Sequence, residues 1–460
     1  MQKKQKQEAL GTEETTEVQK KSKQNANAKK KEGKGKDREK VRIIPLGGVD
    51  GIGMNITAIE SGNDILIVDC GVAFPEDDML GVDLVIPDFT YLQKNADKIR
   101  ALVLTHGHED HIGSVPYFLK KIKADVYGTR LTLGILEGKL AEHGIKNPPL
   151  HVVKKGQVLK KGPFEIELIN VNHSIPDAVA LCINTPVGRI FHTGDFKIDF
   201  TPIGNTPIDL GRIAELGRLG VRLLLCDSTN VEREGYTPSE SSLTESFDRI
   251  FHNEDKRVVI ATFSSNVNRI QQILDASEKW GRKVAVTGRS MLNIMKAATA
   301  LGYVRASEGL IIDLNEMKKY RPNQLTILTT GSQGEPMSAL YRMAFGEHNS
   351  VSLGPTDLVV LSASAIPGNE KLITKIINEL YKRGVQVITE STSDVHVSGH
   401  ACREELKIMH SLVNADCFMP MHGEYKHLVV HAALAKELGL PDKNITIPEA
   451  GRVVELGKNS

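Results

Sequence analysis

From residue 41 onward the chain alternates short apolar runs with tight polar turns, and those runs predict its elements. Val41–Leu46 reads as a strand and Gly47–Gly53 as a glycine-rich turn. Met54–Ser61 and Asp64–Asp69 read as paired strands, and Lys98–Thr105 as an apolar strand that runs into a His-rich loop. Short strands follow around Val126 and over Phe164–Val171, Ala178–Asn184 and Gly188–His192. Many strands with few helices up to Asp195 predict half of a sandwich. After about Ser239 the rhythm changes. Arg257–Phe263 predicts a strand, Asn266–Trp280 a helix, and Lys283–Thr287, Leu325–Thr330 and Leu358–Ser362 further strands with helical segments between them. Strand, helix, strand at this spacing predicts βαβ units and a parallel sheet. From His400 the chain reads as helix to about Val413, short strand Cys417–Pro420, loop, and helix Tyr425–Leu438.

Residues 1–40 lack this pattern. They carry 13 Lys/Arg against 7 Asp/Glu and almost no large apolar residue, so a disordered basic tail is expected, a solvating one in preference to an RNA-touching arm. That leaves 45 basic and 50 acidic residues in 41–460, so any nucleic acid must be held by a local channel or by metal ions rather than by overall charge. At 40 % hydrophobic residues the ordered part can bury a core, and at 5 % aromatic it does not suit a stacking-rich RNA-binding module. The five cysteines, at 70, 182, 226, 402 and 417, form no CxxC pair and read as buried thiols of a reducing compartment. Apolar runs fall short of the ~20 residues of a membrane span and no secretory signal precedes them, so a cytoplasmic protein without membrane contact is expected.

The strongest chemical signal is Thr105-His-Gly-His-Glu-Asp-His111. His106, His108, Asp110 and His111 follow an apolar strand within six residues, and imidazole with carboxylate suits zinc and similar divalent ions. One loop cannot saturate two ions. Further candidates stand at later strand ends: His173 in Asn172-His-Ser174, Asp195 in Phe191-His-Thr-Gly-Asp195, and His422 in Pro420-Met-His-Gly-Glu424. The turn Gly48-Val-Asp-Gly51-Ile-Gly53 is loosely dinucleotide-like, but it lacks the GxGxxG spacing and opens a strand, so a Rossmann site is not expected.

In this order, with Asp69 at an earlier strand end, these residues resemble the metallo-β-lactamase superfamily. Cys226-Asp-Ser-Thr-Asn230, Thr262-Phe-Ser-Ser-Asn266, Gly288-Arg-Ser-Met291, Thr330-Gly-Ser-Gln-Gly-Glu-Pro336 and His396-Val-Ser-Gly-His400 resemble the β-CASP insertion of its nucleic-acid-cutting members, and the first and last resemble the ribonuclease J family. The resemblance spans roughly 41–460 and implies an α/β fold: a metallo-β-lactamase αββα sandwich with an inserted β-CASP parallel α/β domain. The expected division is 41–240 and 401–460 for the sandwich and 241–400 for the insertion. The family usually carries Glu where this chain has Gly51, and usually continues into a small C-terminal domain that supports dimerisation. This chain stops at Ser460, so it reads as a shortened chain or a short member, with that domain absent.

Carried over residue by residue, the resemblance implies one metal on His106, His108 and His173, a second on Asp110, His111 and His422, and Asp195 bridging both. Asp69 orients ligands. His192 falls outside the ligand pattern and reads as structural. His400, held by Asp227, is expected to protonate the leaving oxygen or stabilise charge. Asp110, Asp195, His400 and Asp227 are thus the expected catalytic set. Ser264, Ser265 and Asn266 lie between a strand and a helix, where small donors and free N–H groups suit an anion. With Gly331, Ser332 and the segment His396, Val397, Ser398, Gly399, His400, they form the expected substrate pocket at one edge of the parallel sheet.

The implied function is a two-metal ribonuclease, zinc or manganese dependent, with 5′-to-3′ exonuclease and endonuclease activity in bacterial RNA processing and decay. Expected partners are RNA, preferably 5′-monophosphorylated, a homodimer or tetramer of the full-length form, and components of an RNA-degradation complex. A hydrolase of small esters or lactams would have no use for 240–400. A flavodiiron oxidoreductase would need Glu in place of His108 and a flavin domain. A catalytically dead scaffold would have lost ligands that this chain retains. A DNA-cutting β-CASP nuclease is the alternative that these residues do not separate.

Overall fold

The computed structural model describes residues 40–458 apart from 76–78, 80, 205 and 367. The tail expected over 1–40 therefore lies outside the described residues, except Lys40, which opens the first strand.

Two sheets face each other. The first has seven strands in the order Val454–Gly457, Lys40–Gly47, Ile56–Ser61, Asp64–Val68, Ile99–Val103, Val126–Gly128, Leu150–Val152. The second has six: Cys417–Met421, Leu223–Asp227, Gly188–His192, Val179–Thr185, Phe164–Asn170, Val158–Lys161. Successive side chains on a strand point to opposite faces, and the apolar residues here obey that period. Leu66, Val68, Ala101 and Val103 meet Phe164, Ile166, Leu168, Leu223 and Leu225 in the core between the sheets. Ile65, Ile67 and Leu102 point outward and are covered by helices Val115–Lys121 and Arg130–Glu142. Leu224 and Cys226 point outward on the other sheet, under helices Leu210–Arg218, Arg403–Val413 and Tyr425–Glu437. Both sheets are thus apolar on two faces, which is why their strands read as near-continuous apolar runs.

The third sheet has six strands, all parallel, in the order Ile311–Ile312, Lys283–Thr287, Leu325–Thr329, Arg257–Thr262, Asp357–Ser362, Gln386–Ile388. Val258 and Ile260 face one helical layer, and Val259 and Ala261 face the other. An αββα sandwich carrying an inserted parallel α/β unit is the architecture expected from the sequence. Among the described residues no helix is long and apolar enough to cross a membrane.

Several elements differ from expectation: strands Leu150–Val152, Val158–Lys161 and Leu223–Asp227 and helices Val115–Lys121 and Leu210–Arg218 were not anticipated. Met54 adopts φ 53°, so the second strand begins only at Ile56. Val454–Gly457 adds a last strand against Lys40–Gly47, where no strand was anticipated. Helix Arg130–Glu142 was not anticipated either. Its apolar residues Leu131, Leu133, Ile135, Leu136 and Leu140 are all buried and surround the axis, because it packs on the sandwich and on helix Arg289–Ala300 of the insertion at once. A helix covered on several sides has no single stripe to read. Gly134 permits the approach, since a Cβ there would lie 2.6 Å from Leu301 Cδ1.

Candidate metal centre

The His-rich loop follows strand Ile99–Val103 and enters the short helix Glu109–Ile112. Its backbone is held from the segment that follows strand Asp64–Val68: Cys70 N donates to His111 O (2.8 Å) and Val72 N to Glu109 O (3.1 Å). A Cβ on Gly71 would lie 1.6 Å from Asp110 O, so only glycine lets these two segments touch. The glycine-rich turn supports the loop from the other side. Asn55 N and Nδ2 both donate to Asp110 O, at 2.9 and 3.0 Å. Gly48 makes room for that side chain, since a Cβ there would meet Asn55 Oδ1 at 2.3 Å. Gly51 N donates to Gly423 O (3.0 Å), joining the turn to the loop of His422, and a Cβ at Gly51 would meet nothing within 4 Å. Asp69 and His422 sit just beyond strand ends at φ 59° and 53°, a sparsely populated conformation that persists only where the surroundings hold it.

The seven candidate ligands converge. His106, His108, His173 and Asp195 form one group, and Asp110, His111, Asp195 and His422 a second; within each, the donor atoms lie within 4.8 Å of one another. His108 Nδ1 lies 3.1 Å from His106 Nε2 and 3.0 Å from His173 Nε2. Asp195 Oδ2 lies 3.2 Å from His111 Nε2, 3.5 Å from His422 Nε2, 3.6 Å from His106 Nε2 and 3.7 Å from His173 Nε2. Asp110 Oδ2 is 3.1 Å from His422 Nε2.

The opposite ring nitrogens decide which atoms point inward. His173 Nδ1 donates to Gly399 O (2.7 Å), and His111 Nδ1 to Asp69 Oδ2 (2.8 Å). His422 Nδ1 lies 2.6 Å from Thr229 Oγ1, and His106 Nδ1 3.0 Å from Thr105 Oγ1. With Nδ1 engaged outside, each Nε2 presents a lone pair to the centre. Ring nitrogens 3.0–3.1 Å apart are close to the edge of a tetrahedron of nitrogens around a zinc-sized ion, about 3.3 Å for Zn–N near 2.0–2.1 Å. The donor set fits two divalent ions that share Asp195.

Electrostatics divide the two groups. Burial, together with neighbouring imidazoles, holds His106 and His173 well below the ordinary histidine range, and burial takes His108 down to about 4. These rings are neutral, the form that binds a metal. Burial opposes the charged form of His111 and His422 too, but carboxylates outweigh it. Asp195, Asp110 and Asp69 raise His111 well above its range, and Asp195, Asp110 and Asp227 take His422 to about 9. Asp195 and Asp110 are held low against their burial, by His111 and His422 foremost. Without a cation the acidic group retains protons that a bound ion would displace.

The other candidates fall around this centre. Asp69 is buried; its Oδ1 accepts from Thr105 N (2.7 Å), and its Oδ2 accepts from Thr105 Oγ1 and from His111 Nδ1, both at 2.8 Å. Asp69→Asn would turn an N–H₂ against one of those donors. The expected result is a 10–100-fold weaker hold on the ion near His111, read by titrating metal content against a chelator; an unchanged affinity would exclude this orienting role. His192 is buried with Nδ1 accepting from Gly194 N (3.0 Å) and joins neither group. Asp227 Oδ2 accepts from His400 Nδ1 (2.8 Å), and Asp227 Oδ1 accepts from Thr229 Oγ1 (2.7 Å). His400 stacks on His422, with ring centroids 5.2 Å apart, and meets His173 edge-on at 4.9 Å. A Cβ on Gly399 would lie 2.6 Å from His173 Nδ1, so the return segment passes directly over that ring.

The pocket candidates sit at the carboxyl ends of the parallel strands. Ser264, Ser265 and Asn266 follow strand Arg257–Thr262, and Gly331 and Ser332 follow Leu325–Thr329. Asn266 is buried with its side-chain oxygen accepting from Arg269 N (3.1 Å), so it caps helix Val267–Lys279, and Ser332 is buried as well. Ser264 and Ser265 are partly exposed. Ser398 Oγ accepts from Asn230 Nδ2 (2.8 Å), and His400 O accepts from Thr237 Oγ1 (2.6 Å). Asn55, Thr105 and Thr229 are supporting residues that the sequence reading did not single out. Asn55 was read as part of the strand expected over Met54–Ser61.

Comparison with known proteins agrees with this fold. Residues 49–261 match the metallo-β-lactamase superfamily model, 255–380 the ribonuclease J β-CASP domain, and 384–448 the RNA specificity domain of zinc-dependent metallo-hydrolases. The chain is 46 % identical to ribonuclease J of Helicobacter pylori (strain ATCC 700392 / 26695) over 419 residues, 91 % of this chain and 61 % of that one. It is 43 % identical to ribonuclease J 1 of Streptococcus pyogenes over 422 residues, covering 92 % of this chain and 75 % of that one. It is 45 % identical to ribonuclease J of Mycobacterium tuberculosis over 418 residues, covering 90 % and 75 %. The chain thus spans 61 % of the length of the Helicobacter relative. A solved protein of unknown function from Enterococcus faecalis shares the fold, with TM-score 0.64 at 18 % identity over 91 % of this chain and 100 % of that one.

Proposed function

Because the chain belongs to the ribonuclease J family, we propose that it is a two-metal ribonuclease that hydrolyses RNA phosphodiesters, from the 5′ end and internally. The observation that carries the reading is the pair of ligand groups meeting at Asp195, beneath a return segment that leads to the carboxyl edge of the inserted sheet. His106, His108 and His173 would hold one ion and Asp110, His111 and His422 the other, with Asp195 between them; zinc fits the donors, and manganese fits the same set. When bound, two such ions lower the pKa of a shared water toward ~7 and offset charge building on the phosphoryl oxygens.

The chain's own residues do the rest. Asp227 keeps a proton on His400 Nδ1 and so orients the ring over the centre, leaving Nε2 without a partner among the described residues. Burial opposes the imidazolium, but Asp227 raises His400 above its ordinary range, so the ring can carry a second proton for the leaving 3′-oxygen. The products are a 5′-phosphate and a 3′-hydroxyl. Ser264, Ser265, the helix start at Asn266, Gly331, Ser332 and the segment His396–His400 supply small donors for the RNA end.

One RNA in three forms tests this: 5′-monophosphorylated, 5′-triphosphorylated and circular, each with and without chelator, beside matched single-stranded DNA. Chelator should stop all cutting, DNA should be cut poorly, and the monophosphate should be cut faster than the triphosphate. The pair Ser264→Ala and Ser265→Ala should reduce the monophosphate preference about tenfold and affect circular RNA less, since each removes a donor to a charged group. Asn266 is left intact, because losing the cap costs about 1 kcal/mol of stability. Equal loss on all three RNAs would end the pocket reading, and DNA cut as fast as RNA would end the substrate reading.

A further inference from the structure

Among the described residues Arg269 heads the largest side chains that are fully buried, and the chemistry above does not use it. A guanidinium so deep must have its donors met or it would be very costly to keep charged. Nε and Nη2 reach the two carboxylate oxygens of Glu240 at 2.8 and 3.1 Å. Nη1 donates to Ser362 O (2.9 Å) and Nη2 to Val397 O (3.2 Å). Nη1 also lies 2.8 Å from His396 Nδ1. One side chain in the first turn of helix Val267–Lys279 thus ties together three segments. They are the turn entering the insertion, the end of strand Asp357–Ser362, and the return segment toward the metal centre.

The contact with His396 fixes a proton. A guanidinium has donors and no acceptor, so His396 Nδ1 must offer its lone pair, and the ring hydrogen must sit on Nε2. A second ring proton would set N–H against N–H. Burial first, then Arg269, Arg233 and Lys197, hold His396 well below its usual range, against a hydrogen bond from the ring to the Ser362 backbone.

We propose that Arg269 is a positioning residue that locks His396 as a neutral Nε2–H donor, and that this N–H recognises a phosphate oxygen at the RNA end beside Ser264 and Ser265. Its ligand rests on the pocket reading above; the tautomer does not. Glu240 balances the guanidinium, so the device adds direction rather than a general attraction for anions. An ordinary histidine changes charge between about pH 5 and 8, whereas this donor does not.

The test begins with the whole chain labelled with ¹⁵N-histidine, using long-range proton–nitrogen correlation spectra, with His396→Gln to assign the signal. His396 should show the Nε2–H tautomer and no titration between about pH 5 and 8. In the charge-balanced pair Arg269→Gln with Glu240→Gln, His396 should titrate. The ratio of monophosphate-end cleavage to circular-RNA cleavage should fall about tenfold near pH 8 and recover on acidification, as one hydrogen bond to a charged group implies. His396→Gln, which still offers a neutral N–H, should keep the ratio within about threefold of the parent, and His396→Leu should lose it. The parent spectrum decides the lock even where the paired variant does not fold. An Nδ1–H tautomer, or a titrating His396 in the parent, overturns the proposal while leaving the pocket reading standing. The expected tautomer in a parent that shows no preference for the monophosphate end overturns the pocket reading and the assigned ligand.

Discussion

Asp195→Asn should abolish RNA cleavage, lowering the turnover rate by at least about a thousandfold while RNA binding and the fold persist. The reason lies in one oxygen. Oδ2 of Asp195 faces four histidine nitrogens, those of His106, His111, His173 and His422, at 3.2–3.7 Å. The carboxylate is buried, and its charge is the chief attraction that keeps His111 and His422 above their ordinary range. Asparagine preserves the volume but brings no charge and turns two N–H groups toward rings that must offer lone pairs. Both ions would be held more weakly, and their spacing would no longer be set by a shared ligand. Three measurements separate the outcomes: initial rates on 5′-monophosphorylated RNA, metal content after desalting, and thermal unfolding. Two retained ions with turnover within about tenfold of the parent would remove Asp195 from its bridging position.

What the sequence reveals of this centre depends on how local each part is. His106, His108, Asp110 and His111 are legible because a strand end and six residues bring them together. His173, Asp195 and His422 are legible only through their order along the chain, since sheet topology, not spacing, joins them. The supporting bonds are not legible at all. That His173 presents Nε2 to the centre depends on Gly399 O, 226 residues away. Asn55 reads as a strand residue until Asp110 is seen against it. Arg269 reads as an ordinary helix arginine, because the carbonyls, the carboxylate and the ring that bury it belong to other segments. The fold shows the same division. Parallel strands such as Arg257–Thr262 are apolar runs that declare themselves. Helix Arg130–Glu142, apolar around its axis and interrupted by Gly134 and Gly138, declares neither its length nor its face.

The Asp227–His400 pair should behave as a unit. His400→Ala should lower turnover by about a hundredfold to a thousandfold, the usual worth of a positioned acid, with little change in metal content. Asp227→Asn should approach the same loss by a different route. Asp227 Oδ1 accepts from Thr229 N (2.9 Å) and Thr229 Oγ1 (2.7 Å), so an asparagine oxygen would stay on that side. Its N–H₂ would then face His400 Nδ1, which would have to give up its proton and accept. The ring would flip to the Nε2–H tautomer and lose the carboxylate that favours imidazolium, so it could no longer carry the second proton for the leaving oxygen. Because Thr229 Oγ1 also lies 2.6 Å from His422 Nδ1, that hydroxyl must still donate to residue 227 and accept from His422, which the asparagine oxygen permits. The metal side should therefore be spared. If the carboxylate acts through the histidine alone, the double variant should lose no more than the worse single variant. Separable contributions would instead add within about 0.5 kcal/mol. Single-turnover rates of the four proteins on one 5′-monophosphorylated RNA close the cycle, and additive losses would mean that Asp227 serves the centre by a path that does not pass through His400.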